Sequence, residues 1–270
     1  MVNSLNQLWK YLISGYLIER RKILKKVQLP NVFVPNYQKA PQCKIAVYTV
    51  NNGYDYIHEP EYIDNSFDYY IFTDLELDKK TIWKRKSIQD LNISDMTPLM
   101  QARYIKTHPH IFFPEYDYTI YIDGNICILS DIRPLVYTMI AENKKMAVHR
   151  HQSRDCIYRE AKVVYAKEFA DENDIRRQME KYREDKFPKH YGLFETNVLI
   201  RKHNDPDCIE IMEDWWRQIQ QYTKRDQLSF TYVLWKHGYS CSQVLSLGNN
   251  SRNSSYFRVE PHKEHFRKLY

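Results

Sequence analysis

The sequence lacks the paired cysteines of a disulfide-stabilised or structural-zinc protein. Its five cysteines are an odd number, lie far apart and include no Cys-x-x-Cys pair. Disulfides accumulate in oxidising compartments, and structural zinc sites need closely spaced thiols. The cysteine pattern therefore predicts a protein of a reducing compartment, the cytoplasm.

Long apolar runs are missing as well. No stretch reaches the roughly 18 to 20 apolar residues that a membrane-spanning helix needs. The first apolar positions are interrupted by Asn, Gln and Lys, so no signal peptide is expected. A glycine-rich phosphate loop, a Ser-His-Asp order and a His-Glu-x-x-His pattern are also absent. Internal repeats and low-complexity tracts are not found either.

The composition favours a folded domain that binds anionic or ring-shaped ligands. The chain has 270 residues, enough to bury a full core. It contains 23 Tyr, 5 Trp and 11 Phe, whose rings can serve as platforms for sugars or bases. The net charge of +6 favours nucleotides or phospholipid surfaces, and no nucleic-acid partner is predicted.

Residues 1–28 are predicted to form an amphipathic helix. Apolar residues recur at helical spacing, and five Lys or Arg residues follow between Glu19 and Lys26. Such a helix can lie on an anionic membrane surface, here the inner face of the cell membrane, or pack against the domain or a second subunit. Prolines then punctuate a linker that ends at Ala40. The expected division is a helix and linker at 1–40 and one domain at 41–270.

The interleaving of predicted strands and helices in the domain indicates an α/β fold. Helical spacing or capping signals predict helices at 94–106, 159–182, 205–222 and 226–237. β-Branched and aromatic runs predict strands at 44–50, 68–73, 118–122, 146–149 and 196–200.

The strand at 118–122 ends in Asp123-Gly124-Asn125, where a carboxylate, a glycine and an amide arrive together. Ligands of α/β sheets bind outside the carboxyl ends of strands. Mg²⁺ and Mn²⁺ prefer oxygen ligands. The tripeptide is therefore a candidate for holding a metal ion and the diphosphate that it bridges. A tight turn is the alternative, because Asp-Gly is a common turn dipeptide.

Polar residues gather at three further element ends. Residues 149–155 follow a short strand and can also be a solvated loop. Glu195 lies where the chain enters a strand, so it can act as a base or contact the acceptor, or belong to a simple connector. Asp226 begins an apolar helix, where capping alone explains an aspartate.

Several of these stretches together resemble the TOD/MUCI-type glycosyltransferase-like family of bacterial polysaccharide loci and plant mucilage-related proteins. The resemblance covers about residues 43 to 240. It implies a GT-A fold, in which a Rossmann-type mixed sheet flanked by helices forms a nucleotide-binding half and joins an acceptor half. The matching runs include, in order, Arg103-x-x-Lys106-x-His108-Pro109-His110, Tyr121-Ile122-Asp123-Gly124-Asn125, Glu195-Thr196-Asn197-Val198, Arg201-Lys202-His203-Asn204, Trp215-Trp216 and Arg225-Asp226-Gln227.

The resemblance also implies residue roles. Asp123 and Asn125 resemble the metal-binding Asp-x-Asp of GT-A enzymes, from which this sequence departs with Asn at the third position. Glu195 would be the base of an inverting enzyme, and Asp226 would orient the donor sugar. The residues expected to contact the donor are Thr49, Asn51, Gly53, Asp74, Arg103, Lys106, Asn125 and Gln227.

The expected protein is a hexosyltransferase-like enzyme that uses a nucleotide-diphosphate sugar, with a UDP-sugar as the expected donor, and Mn²⁺ or Mg²⁺. The acceptor would be a glycan or a lipid-linked sugar in surface polysaccharide synthesis. Two alternatives stay open. One is a metal-dependent hydrolase of a lipid or glycan amide, since one eukaryotic branch of the family carries a ceramidase label. The other is a non-catalytic module that binds nucleotide sugars or carbohydrate.

Overall fold

The protein is seen here in a computed structural model, which describes residues 35–36, 40–53 and 56–260. The predicted helix at 1–28 and most of the linker lie outside the described residues. Within the described residues, no helix is both long and apolar enough to span a bilayer.

The centre of the fold is a seven-stranded mixed sheet in the order β3-β2-β1-β4-β7-β6-β8. Strand β7 runs antiparallel to both of its neighbours, and the other adjacent strands are parallel. Strands β5 and β9 pair separately as an antiparallel ribbon. The strands are β1 Ile45–Val50, β2 Asp68–Phe72, β3 Lys84–Lys86, β4 Tyr118–Ile122, β5 Ile126–Ile128, β6 Met146–Arg150, β7 Phe194–Arg201, β8 Leu245–Ser246 and β9 Phe257–Val259.

Helices pack on both faces of this sheet. Every residue of β1 is buried, which explains its continuous apolar sequence. On one face, side chains such as Tyr48 meet a cluster that contains Trp215 and Phe230; on the other, Val47 meets Leu135 and Met139. The helices are α1 Pro98–Thr107, α2 Pro109–Phe112, α3 Arg133–Ala141, α4 Ile157–Ala166, α5 Glu172–Glu184, α6 Pro206–Gln221 and α7 Gln227–Lys236. The predicted α/β class, with a mixed sheet flanked by helices, is confirmed.

Two helix predictions need correction. The charged stretch 159–182 is not one helix, because α4 ends at Ala166 and Glu168 adopts a positive φ of 56° before Asp171 caps α5. The helix predicted from residue 94 starts at Pro98, where Thr97 accepts a hydrogen bond from the Met100 amide. In both places a local capping arrangement decides the boundary.

Candidate active site

The carboxyl ends of the parallel strands and the beginning of β7 meet at one edge of the sheet. The Asn51 amide after β1 donates to the Phe72 carbonyl of β2 at 2.9 Å. The Asp123 amide after β4 donates to the Asn197 carbonyl of β7, also at 2.9 Å. Antiparallel β7 therefore brings its first residues, Glu195 among them, to the edge where β1, β2 and β4 end.

Four charged side chains form a cluster at this edge, which we call the charge cluster: Arg103, Lys106, Asp123 and Asp226. Lys106 Nζ lies 2.6 Å from Asp226 Oδ2 and 3.4 Å from Asp123 Oδ1. Arg103 Nη1 lies 3.2 Å from the same Asp226 oxygen. The structure thus brings together four residues that the sequence placed on three separate elements, and their charges balance.

Asp226 is the more deeply buried of the two carboxylates in the cluster. Burial by itself would raise its pKa, but Arg103 and Lys106 outweigh burial and hold the pKa well below its usual range. Thr196 Oγ1 donates to it at 3.2 Å, and the Gln227 amide donates to its other oxygen at 3.0 Å. Asp226 therefore caps α7 and pairs with two cations, so capping alone does not describe its role.

Lys106 is fully buried, with its ammonium 4.8 Å from the Tyr121 ring centroid and 5.8 Å from that of Trp215. A ligand entering from solvent would therefore meet the partly exposed Asp123 and Arg103 before Lys106. The structure places Lys106 beneath these two side chains.

Asp123 uses only one of its two carboxylate oxygens in hydrogen bonds among the described residues. Its Oδ1 accepts from the Tyr121 hydroxyl at 2.8 Å and from Lys106. No described residue donates a hydrogen bond to Oδ2, and the side chain is 33% exposed. Burial, with the negative charge of Asp123 next in importance, raises the pKa of Tyr121 well above its usual range, so this hydroxyl stays a donor.

The turn after β4 lies close to β1. A Cβ at Gly124 would lie 3.1 Å from the Val50 carbonyl oxygen, tighter than most real contacts. Asn125 is tied to the end of β9: its Nδ2 donates to the Glu260 carbonyl at 3.2 Å, and its own carbonyl accepts from the Glu260 amide at 2.8 Å. The tripeptide is thus a turn and also presents a carboxylate at the site.

The residues around Asp123 fit a divalent ion bound together with a substrate. Among the described residues, no three His, Cys, Asp or Glu side chains form a metal-binding group. Mg²⁺ commonly takes one or two carboxylates and fills its other positions with water and substrate phosphates. Oδ2 of the partly exposed Asp123 suits that arrangement, with Asn125 two residues further along the chain.

Glu195 contacts the C-terminal part of the chain rather than the charge cluster. Its Oε2 accepts from both the amide and the hydroxyl of Ser251 at 3.3 Å, and Arg252 lies 3.7 Å from Oε1. The next residue, Thr196, turns to Asp226 instead. We call residues 248–260, which touch both Glu195 and Asn125, the C-terminal strap.

The other predicted donor contacts are spread along the β1 and β2 ends. Thr49 Oγ1 and Asn51 Oδ1 are buried and have no hydrogen-bond partner among the described residues. Both residues line a small cavity that Trp83 and Ile126 also line. Gly53 has a positive φ of 85°.

Two predicted donor contacts are engaged in structural hydrogen bonds. Asp74 accepts from the amides of Ile88 and Gln89 at 2.9 and 3.2 Å and so fixes a loop. The Gln227 side chain donates to the Phe194 carbonyl at 2.8 Å, which ties α7 to the start of β7.

Tyr121, Thr196 and Ser251 were not predicted as site residues. Tyr121 was detectable, because residues two apart on a strand share a face and it precedes Asp123 by two. Thr196 contacts the site at a bulge: β6 pairs Val148 with Leu199 but His149 with Glu195, so residues 196–198 are passed over. The sequence gives no signal for that bulge or for Ser251.

A cavity lies elsewhere, away from the charge cluster. It is lined by residues at the start of β4 and after β7, including Tyr118, Lys202 and Asn204. These positions mark the edge of the sheet opposite the charge cluster. The candidate active site is therefore the charge cluster and not this cavity.

Residues 35–260 match the model of the TOD1/MUCI70 glycosyltransferase-like domain family. The chain belongs to this family. The resemblance seen in the sequence is confirmed to that extent, while an origin in bacterial polysaccharide loci stays a prediction. A curated relative, the probable hexosyltransferase MUCI70 of Arabidopsis thaliana, is 24% identical over an alignment that covers 71% of this chain. The chain spans only 37% of that relative's length.

Solved structures of glycosyltransferases share less sequence identity with this chain. The mannosyltransferase Ktr4p from S. cerevisiae is 12% identical, with a TM-score of 0.43 over 82% of this chain and 75% of that chain. Mouse xyloside xylosyltransferase 1 is 11% identical, with a TM-score of 0.42 over 81% and 94%. Core-mannan synthase A from Aspergillus fumigatus, in a Mn/GDP form, is 10% identical, with a TM-score of 0.40 over 76% and 73%. The family match, not these likenesses, identifies the chain as a glycosyltransferase-like domain.

Proposed function

We propose that this domain transfers a sugar from a nucleotide-diphosphate sugar, such as a UDP-sugar, to a glycan or lipid-linked acceptor, with help from Mn²⁺ or Mg²⁺. The observation that carries the proposal is the charge cluster at the carboxyl ends of the parallel strands. Its paired cations and carboxylates lie at the sheet edge where α/β proteins bind ligands, in a chain of a glycosyltransferase-like family.

Each member of the cluster has a role that its surroundings support. Oδ2 of Asp123 would hold the metal, which as a Lewis acid would stabilise negative charge on the departing diphosphate. Arg103, with its side chain 14% exposed, would face the donor phosphates. Asp226, which its neighbours keep ionised, would orient the donor sugar by accepting from its hydroxyl groups.

Glu195 is the proposed base or acceptor contact, and its surroundings add a condition. Its carboxylate already accepts two hydrogen bonds of 3.3 Å from Ser251. Such long hydrogen bonds are weak. Glu195 would therefore take up a proton from an acceptor hydroxyl only where the strap leaves one of its oxygens accessible.

For the biological setting we propose surface polysaccharide synthesis on the cytoplasmic side of the membrane. The predicted cationic helix at 1–28 supports this proposal, since it could hold the domain near a lipid-linked acceptor.

A thermal-shift screen tests the proposal. A ligand that binds only the folded protein raises the melting temperature. If Asp123 supplies only part of the metal's ligands, MnCl₂ alone should give a small shift, and MnCl₂ with UDP or a UDP-sugar a much larger one. Asp123→Asn should abolish the combined shift. Asp117→Asn, at the other end of the same strand, is the matched control and should keep it.

The same screen, together with an assay of nucleotide-sugar consumption, separates the alternatives. A large shift with MnCl₂ alone and none with nucleotides would favour the hydrolase. A combined shift without consumption of any nucleotide sugar would favour a binding module. An Asp123→Asn variant that keeps the full combined shift would leave Asp123-Gly124-Asn125 as a turn only.

A further inference from the structure

Arg201 is a cation buried in the interior of the domain. It is the last residue of β7 and is 1% exposed. Its guanidinium donates to the Lys106 carbonyl at 2.7 Å and to the Tyr48 hydroxyl, and it lies 3.2 Å from the Met212 sulfur. Among the described residues, no carboxylate forms an ion pair with it. Burying an unpaired charge is strongly unfavourable. We therefore expect the hydrogen bonds of Arg201 to have a role that an apolar side chain could not fill.

Arg201 and its partner Tyr48 both contact the last turn of α1. The last carbonyls of a helix have no partner within the helix, and a cation near them is favoured by the helix dipole. The Lys106 carbonyl accepts from Arg201 and also from the Tyr48 hydroxyl at 3.0 Å. Arg201 and Tyr48 therefore hold the last turn of α1 from one side; we call this pair the α1 clamp.

Lys106 contacts the α1 clamp and also belongs to the charge cluster. The Lys106 backbone is held by the clamp, while its ammonium lies between Asp226 and Asp123. The Tyr48 ring packs 5.2 Å from the ring of Tyr121, which in turn contacts the Lys106 ammonium and Asp123. A movement of the last turn of α1 would therefore move the Lys106 ammonium relative to both carboxylates.

We propose that Arg201 is a positioning residue, which fixes the last turn of α1 so that Lys106 stays between Asp226 and Asp123. An Arg suits this task better than a Lys, because its planar guanidinium reaches the Lys106 carbonyl and the Tyr48 hydroxyl with separate nitrogens. The consequence for sugar transfer rests on the proposed function, whereas the placement of Lys106 does not.

The NMR signal of the Lys106 side chain tests the placement without any substrate. Rings of Tyr121 and Trp215 lie near the ammonium, so the adjacent CH₂ group of Lys106 should resonate away from those of exposed lysines. Loss of one signal in Lys106→Met identifies it. In Arg201→Met the signal should move at least halfway towards the exposed-lysine position. Met139→Ala, a buried substitution on α3 across the sheet, should lower the melting temperature and leave the signal in place.

Two further variants keep the test decisive if Arg201→Met does not fold. Tyr48→Phe removes only the hydroxyl of the clamp, and Arg201→Lys keeps the charge; both should move the Lys106 signal in the same direction. An unmoved signal in a folded clamp variant would overturn the proposal. A moved signal with an unchanged shift by MnCl₂ and UDP would support the positioning and count against a part for Lys106 in donor binding.

Discussion

Among single side chains, Asp226 joins structure and proposed chemistry most closely. Its carboxylate is 6% exposed and pairs with a lysine that is 1% exposed. Removing one partner of a buried ion pair costs about 3 to 5 kcal/mol, because the other charge stays buried. We therefore expect Asp226→Asn to lower the free energy of unfolding by about that amount, although Asn caps helices as well as Asp. Urea denaturation measures it.

A double-mutant cycle shows whether the unpaired charge of Lys106 causes the loss of stability in Asp226→Asn. If the loss in Asp226→Asn comes from an uncompensated Lys106, then Lys106→Met in the same chain should recover part of it. Additive losses would mean that the loss in Asp226→Asn does not come from the unpaired charge of Lys106. Turnover should stay low in the double variant, because the proposed donor contact needs the negative charge.

His149, at the end of β6, predicts how stability depends on pH. Both of its ring nitrogens are buried without a hydrogen-bond partner among the described residues, and burial lowers its pKa to about 3. Below about pH 6.5, His149 therefore binds a proton in the unfolded chain, whereas in the folded chain it stays neutral until a much lower pH. Stability should fall as the pH falls from 6.5 towards 3, by up to about 1.4 kcal/mol per pH unit from this residue.

The matched variants for this prediction are His149→Leu and His190→Leu. The first removes the buried imidazole, so the free energy of unfolding should decline less between pH 6.5 and pH 4.5. The second replaces a histidine whose side chain is 43% exposed and should keep the slope of the wild type. Equal slopes in wild type and His149→Leu would show that other groups cause the acid sensitivity.

Among the helices and strands, those with a strong pattern were predictable and those held by tertiary contacts were not. The run Ile45–Val50 and the helix from Pro206 carry β-branched residues or an N-cap with proline, and both were located within a residue or two. The three-residue β3 is Lys-Arg-Lys, which no strand pattern predicts. It forms because it pairs with β2 through the backbone.

In the candidate site, too, the sequence predicts some features and not others. Asp123 and Asp226 were predicted as candidates because each ends or begins a patterned element. Their meeting through Lys106, and the contact of Glu195 with the C-terminal strap, join residues far apart in sequence. Chain folding sets such contacts, and a local pattern does not encode them.

The C-terminal strap offers a test that separates anchoring from catalysis at Glu195. If Glu195 only anchors the strap, Glu195→Gln should speed amide hydrogen exchange in residues 248–260, as Ser251→Ala should. A base would lose turnover in Glu195→Gln while Ser251→Ala keeps it. Exchange read by mass spectrometry and donor consumption, measured on both variants, distinguish the two roles. Wild-type exchange and turnover in Glu195→Gln would remove it from the site.

At the scale of the whole chain, the proposed membrane contact of residues 1–28 can be tested by removing them. The family match begins at residue 35, so removing residues 1–28 should leave the domain folded, with its melting temperature nearly unchanged. Each Lys or Arg near an anionic membrane surface contributes about 1 kcal/mol, and this segment carries five between Glu19 and Lys26. We therefore expect the truncated protein to sediment much less with vesicles that contain phosphatidylserine. Replacing the five basic residues by Gln in the full chain is the matched control and should give the same loss. Unchanged sedimentation with a smaller oligomer would instead show that the segment packs against protein.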